Sequence, residues 1–232
     1  MKNNQKITIS KDGPYIVSGS IPLKKEIAII GKSGEPEEWK KGERYPLQDS
    51  YALCRCGESK NKPYCDGTHI TFKFNGTETA SRKKYLEIAE KITGPELNLT
   101  DAREFCVSAR FCHLAEGTRN SIKNSNNPVS KKNGIQSACN CPSGRLVVWN
   151  KKTKNPIEPE FEHSISLIED PQAKVSGPIW LKGKIQLESG DGTKYETRNR
   201  ITICRCGKSN NKPYCDGSHI KAKFNDGDNS LK

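Results

Sequence analysis

Sixteen residues, CRCGESKNKPYCDGTH at 54–69, return almost unchanged as CRCGKSNNKPYCDGSH at 204–219. Loops that only connect two elements vary freely, so a loop with three cysteines and a histidine at fixed spacing, present twice, reads as a ligand set. Each copy opens with Cys-x-Cys (Cys54 and Cys56; Cys204 and Cys206). A third cysteine follows after eight residues (Cys65; Cys215), and a histidine four positions later (His69; His219). Three thiolates and an imidazole complete a four-donor set. Soft thiolates select zinc, copper(I) or iron–sulfur clusters over calcium or magnesium.

The duplication reaches beyond the cysteines. GPYIVSGSIPL (Gly13–Leu23) matches GPIWLKGKIQL (Gly177–Leu187) in its glycines, its proline and its apolar alternation, and the tails FKFNG and AKFND are related. In the second copy, YETRNRITIC places Tyr195, Thr197, Ile201 and Ile203 on one strand face. The preceding Gly190–Gly192 is a hairpin turn signal. The first copy carries a longer polar excursion around SGEPEEWKKGERYP. A hydrophobic fraction of 32% over 232 residues is lean for one large core, which predicts small modules that lean on something besides apolar burial. The expected fold class is α+β and β-rich: two small β modules at 1–79 and 165–232, with an irregular or ferredoxin-like α/β insert at 80–164.

The full pattern is Cys-x-Cys, a serine three residues on, a proline, then Cys-Asp-Gly-Ser/Thr-His. It resembles the CDGSH iron–sulfur proteins of the mitoNEET type. The first copy fills it with Cys54, Cys56, Ser59, Pro63, Cys65, Asp66, Gly67, Thr68 and His69. The second uses Cys204, Cys206, Ser209, Pro213, Cys215, Asp216, Gly217, Ser218 and His219. The resemblance implies one 2Fe–2S cluster per motif, with the Cys-x-Cys pair on the inner iron and the Cys/His pair on the outer one. It also implies that Pro63 and Pro213 fix the turn, and that Gly67 and Gly217 let the backbone pass close to the cluster. Asp66 and Asp216 would cap the short helix or tie the loop. Single-motif relatives form intertwined dimers, so two motifs in one chain imply an intramolecular pseudo-dimer; two separate beads on a spacer are the alternative. The implied work is electron transfer, cluster transfer or redox sensing with an acceptor protein, rather than enzymatic turnover. The rival reading is a zinc-binding structural or interaction module, since Cys3His is also a zinc set. Arg55, Arg205 and the neighbouring lysines could soften the cluster's negative charge, though most read as solvated charges.

The middle is less specific. SRKKYLEIAEKI puts Tyr85, Ile88, Ala89 and Ile92 at helical spacing. DAREFCVSARFC opens with Asp101 three residues before Glu104, a capping-box pattern that predicts a helix through 102–112. NSIKNSNNPVSKKNG reads as a polar loop, and CNCPSGRLVVW as a turn into a strand. Cys106, Cys112 and Cys141 faintly resemble the ligands of a single-cluster ferredoxin, with Ala109 where a further cysteine would stand. They could hold a third iron–sulfur cluster, alone or with Cys139 or an outside ligand. A helix there would set Cys106 and Cys112 about 240° apart, so both can ligate only if the segment turns. Buried structural cysteines are the alternative. His113 is a spare ligand or a surface histidine, and His163 has no evident role.

The formal net charge of +12 can mark polyanion binding. The lysines are scattered, without a nucleic-acid motif, and read as a solvated surface. No apolar stretch approaches a membrane span, and the N-terminal residues lack a leader-like apolar run. The expected setting is the cytoplasm, where ten cysteines serve metals rather than disulfides.

Overall fold

The computed structural model describes residues 4–231. The chain opens with β1 (Lys6–Ile9), β2 (Tyr15–Ser18), β3 (Leu23–Ile30), β4 (Pro36–Arg44) and β5 (Ser50–Leu53), and the one-turn helix α1 (Thr68–Thr71). The middle holds α2 (Tyr85–Ile88), β6 (Glu90–Thr93), β7 (Leu97–Asp101), α3 (Thr118–Lys123), α4 (Pro128–Asn140), β8 (Leu146–Asn150) and β9 (Pro156–Ile157). The last part holds β10 (Ser164–Asp170), β11 (Val175–Lys182), β12 (Gln186–Ser189), β13 (Arg200–Ile203) and α5 (Ser218–Lys221). The architecture is α+β and β-rich.

Two sheets carry the repeated halves, in the orders β12-β1-β2-β5 and β13-β11-β10-β3-β4. Side chains alternate across a strand, so Ile7 and Ile9 of β1, Tyr15 and Val17 of β2, and Tyr51 and Leu53 of β5 share one buried face. They join Ile165, Leu167, Ile179, Leu181, Ile201 and Ile203 of the other sheet in one core. Each sheet borrows a strand from the opposite half. β12 runs parallel to β1, with Ile7 opposite Leu187, and β3 runs parallel to β10, with Leu23 opposite Ile165. The registers correspond throughout: Tyr15 faces Leu53 as Ile179 faces Ile203, and Ile7 faces Val17 as Ile165 faces Leu181. The polar excursion of the first half is β4, an edge strand beside β3. An edge tolerates a charged outer face, and Trp39 anchors β4 through ring contacts with Trp180 at 5.3 Å and Phe111 at 4.6 Å.

The middle sheet, β6-β7-β8-β9, is covered by α3 and α4 over Ile92, Leu97, Leu99, Ile122, Ala138, Leu146 and Val148. Three expectations are corrected here. The helix through 102–112 is absent, replaced by single 3-10 turns at Arg103–Phe105 and Phe111–His113. Asp101 caps nothing, because Arg119 and Arg145 claim its carboxylate (2.5 Å each). The stretch read as a polar loop holds most of two helices. Asn127 accepts from the backbone N–H groups of Val129 and Ser130 at 2.8 and 3.2 Å, and Pro128 follows as the first residue of α4. That is a strong helix start. Among the described residues no helix is long and apolar enough to cross a membrane.

Candidate metal centres

Each motif hangs from the end of a sheet strand, β5 or β13. The chain leaves at Leu53 or Ile203 and returns to pair with it through Tyr64 or Tyr214. The amide of Cys54 bonds Pro63 O at 2.8 Å and that of Cys65 bonds Ala52 O at 2.9 Å; Cys204 and Cys215 repeat this with Pro213 and Thr202. Ser59 and Ser209 close the loop by donating to Tyr64 O and Tyr214 O at 2.6 and 2.7 Å. The aspartates fasten the last turn. Asp66 accepts from the amides of Lys60 and Thr68 at 2.8 and 3.0 Å, and Asp216 from those of Asn210 and Ser218 at 2.8 and 2.9 Å. These bonds hold the Asp66 carboxyl well below the usual carboxylate range. Gly67 and Gly217, at φ +87°, then turn the chain into α1 and α5, a conformation glycine adopts without steric cost.

The result is two donor pairs per motif. Cys54 and Cys56 place their sulfurs 3.8 Å apart, and Cys204 and Cys206 3.7 Å. His69 Nδ1 stands 3.3 Å from Cys65 Sγ, and His219 Nδ1 3.4 Å from Cys215 Sγ. Two thiolates at ~2.3 Å from one tetrahedral ion sit ~3.8 Å apart, and a thiolate–imidazole pair ~3.6 Å. The pairs therefore fit one metal ion each. Among the described residues no group of three or more His, Cys, Asp or Glu side chains is gathered to hold a single ion. Burial pushes the Cys56 thiol up to about 11, and raises Cys215 well above the ordinary thiol value. Within the second pair, the thiol of Cys206 hydrogen-bonds Cys204 and pulls it down to about 6, while Cys206 itself moves up. A bound cation has to displace these protons, and two soft donor pairs per motif, each spaced for its own ion, fit an iron–sulfur group.

The two motifs also meet. A Cβ on Gly57 would fall 2.7 Å from Cys206 O, and one on Gly207 2.3 Å from Cys56 O, so the two Cys-x-Cys loops lie back to back. Tyr15 of β2 crosses between the halves and donates to Cys204 O at 2.9 Å. Arg55 and Arg205 are not solvated, contrary to expectation: they are 2% and 4% exposed. Arg55 donates to Ser10 O at 2.9 Å and to Gly76 O. Arg205 donates to Gly177 O, Ile168 O and Glu169 (2.6, 2.8 and 2.7 Å), and pairs with Asp226. Their recurrence between the two cysteines of both copies was the available signal.

In the middle, Ser108 and Arg110 take left-handed φ values of +57° and +61°. The chain therefore turns between Cys106 and Cys112. These two and Cys141 line one cavity of about 170 Å³ together with Phe111, Pro142 and Arg145. Burial pushes the Cys112 thiol up to about 11, with Cys141 adding to the effect. Arg145 lies against Cys106 and is held there by Asp101, a pairing sequence reading missed. Cys139 does not join them, since its thiol is directed to Ile157 O at 3.7 Å. His113 lines the cavity, but its imidazole is 56% exposed and lies 3.4 Å from Glu35. His163 pairs with Gln5 at 2.7 Å.

Two family models match the chain. The "iron-binding zinc finger CDGSH type" covers residues 12–70 and 176–220, and the "divergent 4Fe-4S mono-cluster" covers 92–151. No curated protein and no solved structure matches it. Two CDGSH-type segments therefore flank a 4Fe-4S-like middle, the pattern of an iron–sulfur protein with two CDGSH motifs and a cysteine-containing middle region.

Proposed function

We propose that the chain is an electron carrier. On this reading one 2Fe–2S cluster is held by Cys54, Cys56, Cys65 and His69, and a second by Cys204, Cys206, Cys215 and His219. Cys106, Cys112 and Cys141 hold a third iron–sulfur centre. The observation that carries the reading is the pairing of donors: each motif offers a thiol pair at 3.7–3.8 Å and a Cys/His pair at 3.3–3.4 Å. Such pairs suit two irons, whereas one zinc draws four donors to a single point.

The bound clusters supply one-electron chemistry. Three thiolates and one neutral imidazole make an oxidised 2Fe–2S centre less negative than four thiolates do, which favours a potential between those of all-cysteine and two-histidine centres. The chain's part is to bury the inner pair, orient each imidazole from a glycine-led turn, and set arginines behind the thiols. The main chain at Cys106 packs on Gly217, so the middle and second sites are neighbours. That supports passage of electrons between centres over cluster donation alone. The exchanged strands and back-to-back glycines support the pseudo-dimer reading, a one-chain counterpart of an intertwined dimer with 80–164 as an insert. The carrier works in the cytoplasm with a redox protein as partner, and is not itself an enzyme.

The test is anaerobic purification followed by iron, sulfide and zinc analysis, with visible and EPR spectra. About four irons from the end motifs are expected, with more from the middle set that Cys112→Ser removes. Two zincs that anaerobic iron–sulfur reconstitution fails to displace would overturn the reading.

A further inference from the structure

We propose that the two CDGSH sites are unequal by construction. The middle-segment loop 107–110 seals the second site, so that exchange of iron or cluster with outside acceptors runs through the first. The inference rests on the reading of both motifs as cluster sites. The motifs share one internal geometry, so any difference in access comes from what covers them.

Cys65 and His69 are half-buried, whereas Cys215 is 2% and His219 4% exposed. A Cβ on Gly67 would meet nothing within 4 Å. On Gly217 it would lie 3.0 Å from Ser108 Oγ, 3.5 Å from Cys106 O and 3.7 Å from the carbonyl carbon of Val107. The space left beside His219, walled by Trp39, Val107, Ala109, Ile168 and Pro178, is about 10 Å³. That volume admits at most a single water. The first motif stands more open: a Cβ on Gly13 would lie 3.6 Å from His69 Nε2, but Ile70 and Phe72, just past His69, are 72% and 46% exposed.

A latch keeps the loop in place. Arg110 grips Asp170, at the end of β10, with two contacts of 2.9 and 2.8 Å, and reaches Gln172 at 3.0 Å. Asp170 is 6% exposed, so the pair is poorly screened by solvent. The left-handed backbone at Ser108 and Arg110 persists only where surrounding contacts hold it. An acceptor would displace the Cys/His pair first and the Cys-x-Cys pair next, four donors for four, the bridging sulfides leaving with the irons and no electron moved. It meets the Cys65/His69 pair directly, and the Cys215/His219 pair only after the loop opens.

The experiment uses cluster-loaded protein in a Cys141→Ser background, which removes the middle set's contribution, with iron and sulfide assayed first. A bulky iron chelator is added anaerobically, and visible absorbance and released iron are followed. Two phases are expected, the slower by about tenfold or more, as for a site that needs local opening. Cys204→Ser leaves only the fast phase, and Cys54→Ser only the slow one. Arg110→Ala moves the slow phase toward the fast one without altering the latter, and Arg110→Lys moves it less. A single rate for both clusters overturns the inference, as does a slow phase indifferent to both Arg110→Ala and Val107→Gly. Absence of iron and sulfide from both end sites would instead overturn the cluster reading beneath it.

Discussion

At the scale of single residues, the two motifs differ most in what surrounds the arginine between the first two cysteines. Arg205 is met by the carboxylates of Glu169 and Asp226, while Arg55 donates to carbonyl oxygens and lies over the Tyr15 and Phe74 rings, with no carboxylate paired to it among the described residues. Reduction adds negative charge, so an uncompensated cation favours it. The first site is expected to reduce at the higher potential, and Arg55→Met to lower it by roughly 50–100 mV. EPR-monitored redox titration in a Cys204→Ser background measures this, and an unmoved potential would refute it. The second difference is acid response. Burial pushes His219 down to about 4, and the nearby Arg205 charge acts in the same direction. The unfolded chain titrates near ~6.5, so the folded chain binds the proton less readily. This group's share of stability is therefore present above that value and is lost as pH falls through about 4. Only the neutral ring ligates. A protein holding the second cluster alone should lose its visible absorbance on acidification as protons compete for the imidazole, and His219→Cys should keep it to lower pH. Identical acid decay in the two proteins would sink this account.

At the scale of elements, the parts read correctly from sequence were those with a local signature. The cysteine loops were written twice, GPYIV alternates through β2, and Gly190–Gly192 turns the chain as its sequence demands. What failed had its cause elsewhere in the chain. The 102–112 segment has the pattern of a capped helix, but Asp101 is taken by Arg119 and Arg145, from elements 18 and 44 residues away. The buried face of α4 is Gly134, Ser137 and Ala138, too small and polar to show a helical stripe. The absence of a helix brings Cys106 and Cys112 to one cavity, and α4 turns Cys139 away from it. Cys139→Ser should therefore leave iron content and spectra unchanged, while Cys112→Ser should remove the middle set's iron; equal losses in both would refute the assignment. The back-to-back loops give a stability test. Gly207 sits at φ +73° with Cys56 O where a Cβ would go, whereas Gly227, at φ +88°, has open space beside it. Gly207→Ala should cost about 2–4 kcal/mol and Gly227→Ala only about 1, measured by denaturant unfolding of the cluster-loaded protein. Comparable losses would mean that the loops do not pack as described.

At the scale of the whole molecule, strand exchange and the one-sided loop are linked. Two identical chains related by a two-fold axis must present two identical sites. A single chain that contains both halves escapes that constraint, and its middle segment covers one site and leaves the other open. Linking the halves also turns their association into an intramolecular event, which matters because neither sheet is complete alone. β1 needs β12, and β10 needs β3. Removing residues 80–232 would leave β1 with a bare edge and β3 without its parallel neighbour, and unpaired strands recruit other chains. Yet β3 is the counterpart of β12 in the repeat: Leu23 sits opposite Ile165 as Leu187 sits opposite Ile7. A fragment of residues 1–79 can therefore complete its own sheet by lending β3 to β1 of a second copy. It should sediment at twice its own mass, or fail to fold, under conditions where the full chain sediments at its single-chain mass. Adding a fragment of residues 165–232 should convert that dimer into a mixed pair. A monomeric 1–79 fragment that keeps its fold and its full complement of iron would show that the borrowed strand is dispensable, and with it the reason for the two halves to share one chain.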